Sequence, residues 1–196
     1  MSSDLTKQDK KYIKDIKSKL AAELRQKIDN NIFSILEIPR DIRVAIEDFI
    51  KTKLPLDAYS IEDIKKLERK PNNEELKEYA LEIRDELDDF VMGKTYHKVV
   101  INKSKELIEC VIEINKSKKV ISVDIKECNF TIEKLFAEIK KNLKIPINQS
   151  VYIQKGLRLY DGPTVYIYKL PALINWTKTH AKIDAGEIIG NAISVK

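Results

Sequence analysis

Hydrophobic positions near the start of the chain recur every three or four residues, with lysines and acids between them. Between residues 6 and 36 this spacing connects Ile13, Leu20 and Ile28, and similar residues fall at the intervening turns. A period close to 3.6 places them on one face of a helix, so the pattern predicts a long amphipathic α-helix. The spacing is also close to that of a coiled-coil seam, so a homo-oligomer formed through this helix is one hypothesis.

Helical spacing continues, with interruptions, as far as Gly93. The residue before Pro39 is disfavoured in a helix, so a second helix is expected to begin at this proline or just after it and to end near residue 53. Ser60 can cap a short helix that follows. A longer helix is predicted from residue 74 to about residue 92, because Gly93 suits the position just past a helix end.

After Gly93 the period changes to 2, which is typical of β-strands. Short polar connections between the first three strands favour antiparallel hairpins over helical crossovers. Strands are predicted at 96–102, 106–114, 119–125, 150–155 and 164–169, and helices at 131–143 and 176–193. We therefore expect an α+β protein in which a helical region, 1–93, packs with a sheet domain, 94–196. This domain is an antiparallel β-meander with an inserted helix and a closing carboxyl-terminal helix.

The composition is that of a folded protein with a charged surface. The 196 residues are 43% hydrophobic and 34% charged, which is too apolar for wholesale disorder. No apolar run approaches the roughly 20 residues that cross a bilayer, and the start lacks a hydrophobic leader, so we expect a cytoplasmic protein without a membrane partner. The two cysteines are expected to be reduced. A net charge of +5 permits contact with phosphates without demanding it.

The last predicted hairpin alternates aromatic and basic residues. Such a row can stack on bases and contact phosphates, so the pattern predicts a surface that faces nucleic acid. The same alternation is expected of a sheet with one buried and one solvated face. The predicted DNA-binding residues are Lys155, Arg158, Tyr166, Tyr168 and Lys169, assisted by the lysines that cluster between residues 7 and 19.

Asp184 lies at the edge of the apolar ridge of the last predicted helix. A buried carboxylate needs a partner, and we expect Arg158 or Tyr160 to supply it. Trp176 and Thr177 are expected to seat and cap the same helix. Trp176 and Asp184 are therefore predicted to have a structural role.

Carboxylates on the predicted central strands suggest a second hypothesis. Metal-dependent nucleases of the restriction-endonuclease fold hold a divalent cation between neighbouring strands, with a lysine two residues beyond one ligand. Asp124 and Lys126 have this spacing, and Glu109 or Glu113 could be the second ligand. A nuclease that uses Mg²⁺ is therefore an alternative, although strand alternation also accounts for these residues as solvent-facing.

Other catalytic signatures are missing from the sequence. No glycine-rich phosphate loop is present, which argues against ATP and SAM sites. His97 and His180 have no nucleophile motif beside them. Outside the nuclease alternative we expect no cofactor and no metal.

The carboxyl-terminal segment resembles a known group of proteins. It contains LRLYDGPTVYIYK at 157–169 and NWTKTHAKIDAGEII at 175–189, which combine a strand, a tight turn, a strand that ends in lysine, and a Trp-Thr pair that opens a helix. This arrangement is similar to a segment of proteins associated with bacterial restriction-modification and phage-defence systems. The resemblance implies an accessory or recognition component that joins a subunit of such a system, not the catalytic subunit.

The leading prediction is thus a non-catalytic protein that associates with DNA or forms a complex within a restriction-modification or defence system. The alternatives are the metal-dependent nuclease and a structural oligomerisation module that uses the first helix.

Overall fold

The computed structural model of the protein describes residues 7–52, 68–115, 123–135, 137 and 156–194. The helices are α1 (Lys7–Ile35), α2 (Arg40–Thr52), α3 (Asn73–Phe90) and α4 (Lys178–Ser194), with a 3-10 helix at Leu173–Trp176. The strands are β1 (Tyr96–Lys103), β2 (Ile108–Asn115), β3 (Asp124–Glu127), β4 (Leu157–Asp161) and β5 (Thr164–Lys169). The predicted α+β class is confirmed. The predicted helix after Ser60 and the predicted strand at 150–155 lie outside the described residues.

The chain forms two compact units, residues 1–46 and residues 47–196. In the second unit α3 and α4 pack on the sheet in one hydrophobic core. The predicted division at residue 93 therefore runs through this unit, because α3 shares its core with the strands that follow it.

The end of α1 is defined by a left-handed residue, Glu37, with φ of 50°. The backbone N–H of Ile38 donates to the carbonyl of Phe33 at 3.0 Å, and that of Glu37 donates to Ser34 at 3.2 Å, which together make a Schellman motif. The Arg43 guanidinium donates to the carbonyl of Ile38 at 2.6 Å and lies 5.7 Å from the centre of the Phe33 ring. These contacts fix the turn between α1 and α2, and the predicted bounds of α1 are correct to within a residue.

Both ends of α3 follow from its sequence. Asn72 accepts from the backbone N–H of Glu75 at 2.9 Å, while the Glu75 carboxylate accepts from the N–H of Asn72 at 2.8 Å, which is a capping box. Beyond the helix, Met92 and Gly93 both have positive φ. The predicted end near Gly93 is confirmed.

The sheet is mixed, with the strand order β3-β1-β2-β5-β4. The predicted β1–β2 hairpin is confirmed, but the predicted hairpin between the second and third strands is wrong, because β3 pairs in parallel with β1. The free edge of β2 is taken by β5. Since β2 then has a partner on both sides, β3 cannot pair with it. β3 joins the sheet at the edge of β1 instead, where Ile125 lies beside Ile101 over the core.

The β4–β5 hairpin closes at a tight loop. Its first strand is Leu157–Asp161, and Asp161 pairs with Thr164 across a two-residue loop. Gly162, the first loop residue, has φ of 54°, a conformation that glycine adopts without steric cost. The sequence contains the residues that such a loop requires. The predicted strand at 150–155 stays a prediction, and sequence reasoning missed the strand at Leu157–Asp161.

The two faces of the sheet carry separate apolar clusters. One face packs against α3 and α4, and its core includes Tyr79, Ile101 and Ile167. On the other face Leu107 and Tyr168 pack with Leu135. The last of these belongs to the helix predicted at 131–143, which is helical at 132–135 and at 137 and otherwise lies outside the described residues.

The start of α4 is as predicted. Trp176 is buried, and the Thr177 hydroxyl accepts from the backbone N–H of His180 at 3.3 Å, so Thr177 caps the helix. In the parts of the chain that the structure describes, no helix combines the length and apolarity that a bilayer crossing requires.

Candidate functional site

Three side chains meet inside the second unit around the carboxylate of Asp184, and we call these four residues the Asp184 cluster. Asp184 is 2% exposed. Its Oδ2 accepts from the Tyr79 hydroxyl at 2.6 Å and from the Lys169 ammonium, and its Oδ1 accepts from Arg158 Nη2 at 2.5 Å. The prediction that a buried Asp184 pairs with Arg158 is confirmed. Sequence reasoning did not find the other two partners.

Lys169 is the most enclosed cation of the Asp184 cluster. Its side chain points from β5 toward α4, and its ammonium lies 5.2 Å from the centre of the Tyr79 ring and 5.6 Å from that of Trp176. These rings meet edge to face at 4.8 Å, which is a favourable arrangement around a cation. A side chain at Gly156 would come within 3.0 Å of Lys169 Cγ, so glycine leaves room for the lysine stem.

Burial and Asp184 shift the titration of the groups around them. Burial lowers the pKa of Lys169, and the carboxylate of Asp184 offsets part of this effect. Burial also opposes the charge of Arg158, but Asp184 outweighs it and raises the pKa of the guanidinium. The pKa values of Tyr79 and Cys110 are raised, mainly because burial disfavours their anions.

The Asp184 cluster joins α3 to α4 through a hydrogen bond, and β4 and β5 to α4 through ion pairs, rather than presenting a reactive group to solvent. Arg158 also pairs with Glu187 on α4. The charges of Arg158 and Lys169 are thus directed at buried or half-exposed carboxylates of their own chain. Their role in DNA binding stays a prediction, and the structure gives both an internal partner.

The predicted tyrosine row lies on the opposite face of the sheet. Tyr166 and Tyr168 stack with ring centres 6.5 Å apart and planes 10° from parallel. Tyr168 is 7% exposed and packs with Leu107 and Leu135, and Tyr166 is half-buried beside them. Lys155, the remaining member of the predicted surface, lies outside the described residues.

The predicted metal ligands share that outer face but have local partners. Glu109 lies opposite Asn102, whose amide donates to it at 2.5 Å. Glu113 lies 3.6 Å from the ammonium of Lys98. Lys126, at the edge strand, lies beside Asn102 in the sheet register.

The register keeps Asp124 apart from the other carboxylates. Asp124 pairs with Val100, and Val100 pairs with Val111, so two inter-strand spacings separate β3 from β2. Each spacing is about 4.8 Å, whereas ligands of one cation lie within about 2.5 Å of it. Among the described residues no group of three or more His, Cys, Asp or Glu is placed to hold a metal ion. The structure therefore does not bring Glu109, Glu113 and Asp124 to one point.

The apolar face of α1 is exposed along its length. Seven aliphatic side chains are between 37% and 79% exposed. We call them the α1 stripe, which consists of Ile13, Ile16, Leu20, Leu24, Ile28, Ile32 and Ile35. A surface of this kind was expected to be a packing face or a seam for a partner helix.

Sequence reasoning missed a buried histidine–carboxylate pair. The backbone N–H of His97 donates to Asp88 Oδ1 at 2.8 Å, and Nδ1 of the same histidine lies 2.9 Å from that oxygen. Both residues are at most 7% exposed. The available signal was the position of Asp88 on the last turn of α3, nine residues before a histidine near the start of β1.

Comparison with known proteins finds no matching family model, no similar curated protein and no similar solved structure. The class of the protein is thus given by its fold alone, which is α+β with a mixed five-stranded sheet. The resemblance of residues 157–189 to proteins of restriction-modification and defence systems stays a prediction.

Proposed function

We propose that the protein is a non-catalytic, complex-forming accessory protein that assembles through the α1 stripe. The observation that carries the proposal is the exposure of this stripe along a helix of 29 residues. A helix of that length measures about 43 Å. Continuous apolar surface of this extent marks an association site on a folded protein.

The charge pattern of α1 favours a second copy in antiparallel orientation. Residues 7–19 carry six lysines and two aspartates, a net charge of +4, whereas residues 20–35 carry two basic and two acidic side chains and are neutral. Parallel pairing would place two basic halves side by side, and like charges at this distance repel. Antiparallel pairing places each basic half beside a neutral half.

The spacing of the α1 stripe further defines the pair. From Ile13 to Ile35 the stripe advances 22 residues in six steps, about 3.7 residues per step. Heptad seams advance 3.5 residues per step and supercoil to the left, whereas a spacing near 3.67 residues per step gives a right-handed supercoil. We therefore expect two helices with a right-handed supercoil rather than a left-handed coiled coil.

The test measures the mass of the full chain in solution and compares two variants with the same added charge. Leu24→Glu places a carboxylate in the α1 stripe, while Gln26→Glu places one on the opposite side of α1, where Gln26 is exposed. In analytical ultracentrifugation we expect dimers for the wild type and Gln26→Glu, and monomers for Leu24→Glu. A wild type that stays monomeric at high micromolar concentration contradicts the proposal.

Orientation is tested by a nitroxide label at Gln8→Cys in a Cys128→Ser background. In an antiparallel pair centred on Leu24 the two labels are roughly 50 Å apart, since each lies 16 residues from the centre at 1.5 Å per residue. In a parallel pair they are less than about 20 Å apart. Pulsed dipolar spectroscopy distinguishes these distances, and a short distance would refute the antiparallel arrangement while leaving self-association intact.

Association with DNA is the second candidate function, and one observation favours it. Lys11, Lys14 and Lys17 follow at helical spacing along one edge of the α1 stripe, and all three are exposed. Replacing them with glutamine leaves the stripe unchanged. If this edge contacts phosphates, the triple variant loses retention on duplex DNA at low salt and the salt dependence falls by about 0.9 per lost contact. Equal retention of the triple variant and the wild type would exclude this edge.

The other predictions have weaker support. The metal-dependent nuclease lacks a convergent ligand set in the described part of the chain. Membership of a restriction-modification or phage-defence system depends on the resemblance of residues 157–189 alone. Both stay predictions.

A further inference from the structure

An apolar pocket of about 650 Å³ opens between the end of α3, the sheet and α4. Its walls include Leu87, Ile112, Val165, Ile188 and Ala192. This volume falls within the range of small-molecule sites, roughly 300–1,000 Å³. The pocket lies wholly in the second unit and is separate from the α1 stripe.

His97 supplies a directed polar group in this apolar wall. Its Nδ1 lies 2.9 Å from Oδ1 of Asp88, which is 6% exposed. In the neutral form of the ring a carboxylate acceptor at Nδ1 selects the Nδ1–H tautomer, and Nε2 then carries a lone pair that can accept a hydrogen bond. Within the described part of the chain Nε2 makes no hydrogen bond, and it is not among the fully enclosed atoms.

The lining also limits the charge of a ligand. No lysine, arginine, aspartate or glutamate is among the residues that line the pocket. An ionic ligand would lose its hydration there without gaining a counter-charge, which is costly. The negative charge of Asp88 behind His97 further disfavours an anion.

We infer that this pocket binds a neutral, mainly apolar molecule whose hydroxyl group donates a hydrogen bond to Nε2 of His97. The aliphatic walls hold the hydrocarbon body, and the Asp88–His97 pair orients the single polar end. At the rim the Asn191 amide donates to the Tyr160 hydroxyl at 2.8 Å, which gives the entrance a polar border.

Three probes of one shape separate the elements of this inference. 2-Naphthol has the apolar body and the hydroxyl, naphthalene has only the body, and 2-naphthoate replaces the hydroxyl with an anion. At pH 7.5 we expect 2-naphthol to bind about fivefold more tightly than naphthalene, which is the size of one net hydrogen bond, and naphthoate to bind most weakly. Isothermal calorimetry gives the affinities, and ¹⁵N shifts of the His97 ring report on Nε2 directly.

Two phenylalanine substitutions on α4 test the location. Ala192→Phe fills the pocket, whereas Ile183→Phe adds a ring at an exposed position of the same helix outside the lining. We expect Ala192→Phe to abolish binding of 2-naphthol and Ile183→Phe to preserve it. Both substitutions are at exposed positions, so the comparison does not depend on a variant with an altered core.

Each result decides the inference. Equal affinity for 2-naphthol and naphthalene, or no shift of the His97 ring nitrogens, would refute the hydrogen bond between the ligand hydroxyl and Nε2 of His97. Tightest binding by naphthoate would overturn the choice of a neutral ligand. Unchanged binding by Ala192→Phe, or no binding of any probe at its solubility limit, would overturn the site itself.

Discussion

Replacing Asp184 with asparagine removes the single anion that both cations of the Asp184 cluster contact. The side-chain volume is nearly unchanged, so the substitution tests charge rather than packing. Arg158 retains Glu187 as a partner, but Lys169 loses its only ion pair within the described residues and remains 2% exposed. Removing one partner of a buried pair costs about 3–5 kcal/mol.

The titration of Lys169 sets an independent upper limit on this cost. If the charge of Lys169 becomes too costly in the folded protein, the lysine can lose its proton instead. The ordinary pKa of lysine is 10.5, so removing the proton at pH 7 costs about 5 kcal/mol, at 1.36 kcal/mol per pH unit. The penalty for losing Asp184 cannot exceed this value. Burial already lowers the pKa of Lys169, and Asp184 opposes that shift. Without Asp184 the folded-state pKa falls further, so the penalty is largest at low pH. It declines by up to about 1.4 kcal/mol per pH unit as the pH rises, until the pH reaches the lowered pKa of Lys169 in the wild type.

Urea denaturation followed by fluorescence of Trp176 measures this effect in the second unit, since Trp176 is the only tryptophan and is buried there. We expect Asp184→Asn to destabilise the unit by about 3–5 kcal/mol at pH 7 and by clearly less at pH 9. Glu187→Gln, at a half-exposed carboxylate of the same helix, is the matched control and should cost less than about 1 kcal/mol.

A double variant then isolates the interaction energy between Asp184 and Lys169. Lys169→Met removes the stranded cation, so Asp184→Asn combined with Lys169→Met should cost at least about 2 kcal/mol less than the sum of the single changes. A penalty below about 1 kcal/mol for Asp184→Asn, or one that does not change between pH 7 and pH 9, would refute the argument that Lys169 is a buried cation paired with Asp184.

Two further predictions concern the thiol beside the Asp184 cluster and the turn after α1. Burial raises the pKa of Cys110 above its ordinary value of 9.0, so above pH 9 the unfolded chain releases a proton that the folded chain keeps, and stability falls. Relative to Cys110→Ala, the wild type should lose about 1.4 kcal/mol between pH 8 and pH 10 in reducing urea titrations; a difference independent of pH would contradict this. Glu37 has φ of 50°, which costs a non-glycine residue roughly 1 kcal/mol, so Glu37→Gly should slow amide exchange at the end of α1, whereas Glu37→Ala should not.

Local signals in the sequence are sufficient to predict the described helices and one buried ion pair. The apolar spacing of α1 and the Thr177 cap each depend on residues within a few positions of one another. The Asp184–Arg158 pair spans 26 residues, yet it follows from a carboxylate on an apolar ridge that needs a cation. The same reasoning could have found Lys169, because strand alternation places it on the aliphatic face with Ile167.

Pairings that depend on competition between strands were not predictable in this way. The polar connection after β2 permits a hairpin, and only the pairing of β2 with β5 removes that option. The pocket has the same origin, since its walls come from α3, the sheet and α4 and its polar group is held by Asp88 from another element. Neither feature has a short-range pattern in the sequence.

Because Arg158 and Lys169 form ion pairs with Asp184, the net positive charge of the chain lies elsewhere. Of the total charge of +5, residues 7–35 account for +4. Two cations of the predicted hairpin surface, Arg158 and Lys169, form ion pairs with a carboxylate inside the second unit. Long-range attraction of an anionic partner depends on net rather than paired charge. If the protein contacts nucleic acid, the contact is therefore expected at the basic half of α1, the helix that is also proposed to form the dimer. The variant with glutamine at Lys11, Lys14 and Lys17 separates DNA binding from helix pairing, because it removes charge and leaves the α1 stripe unchanged.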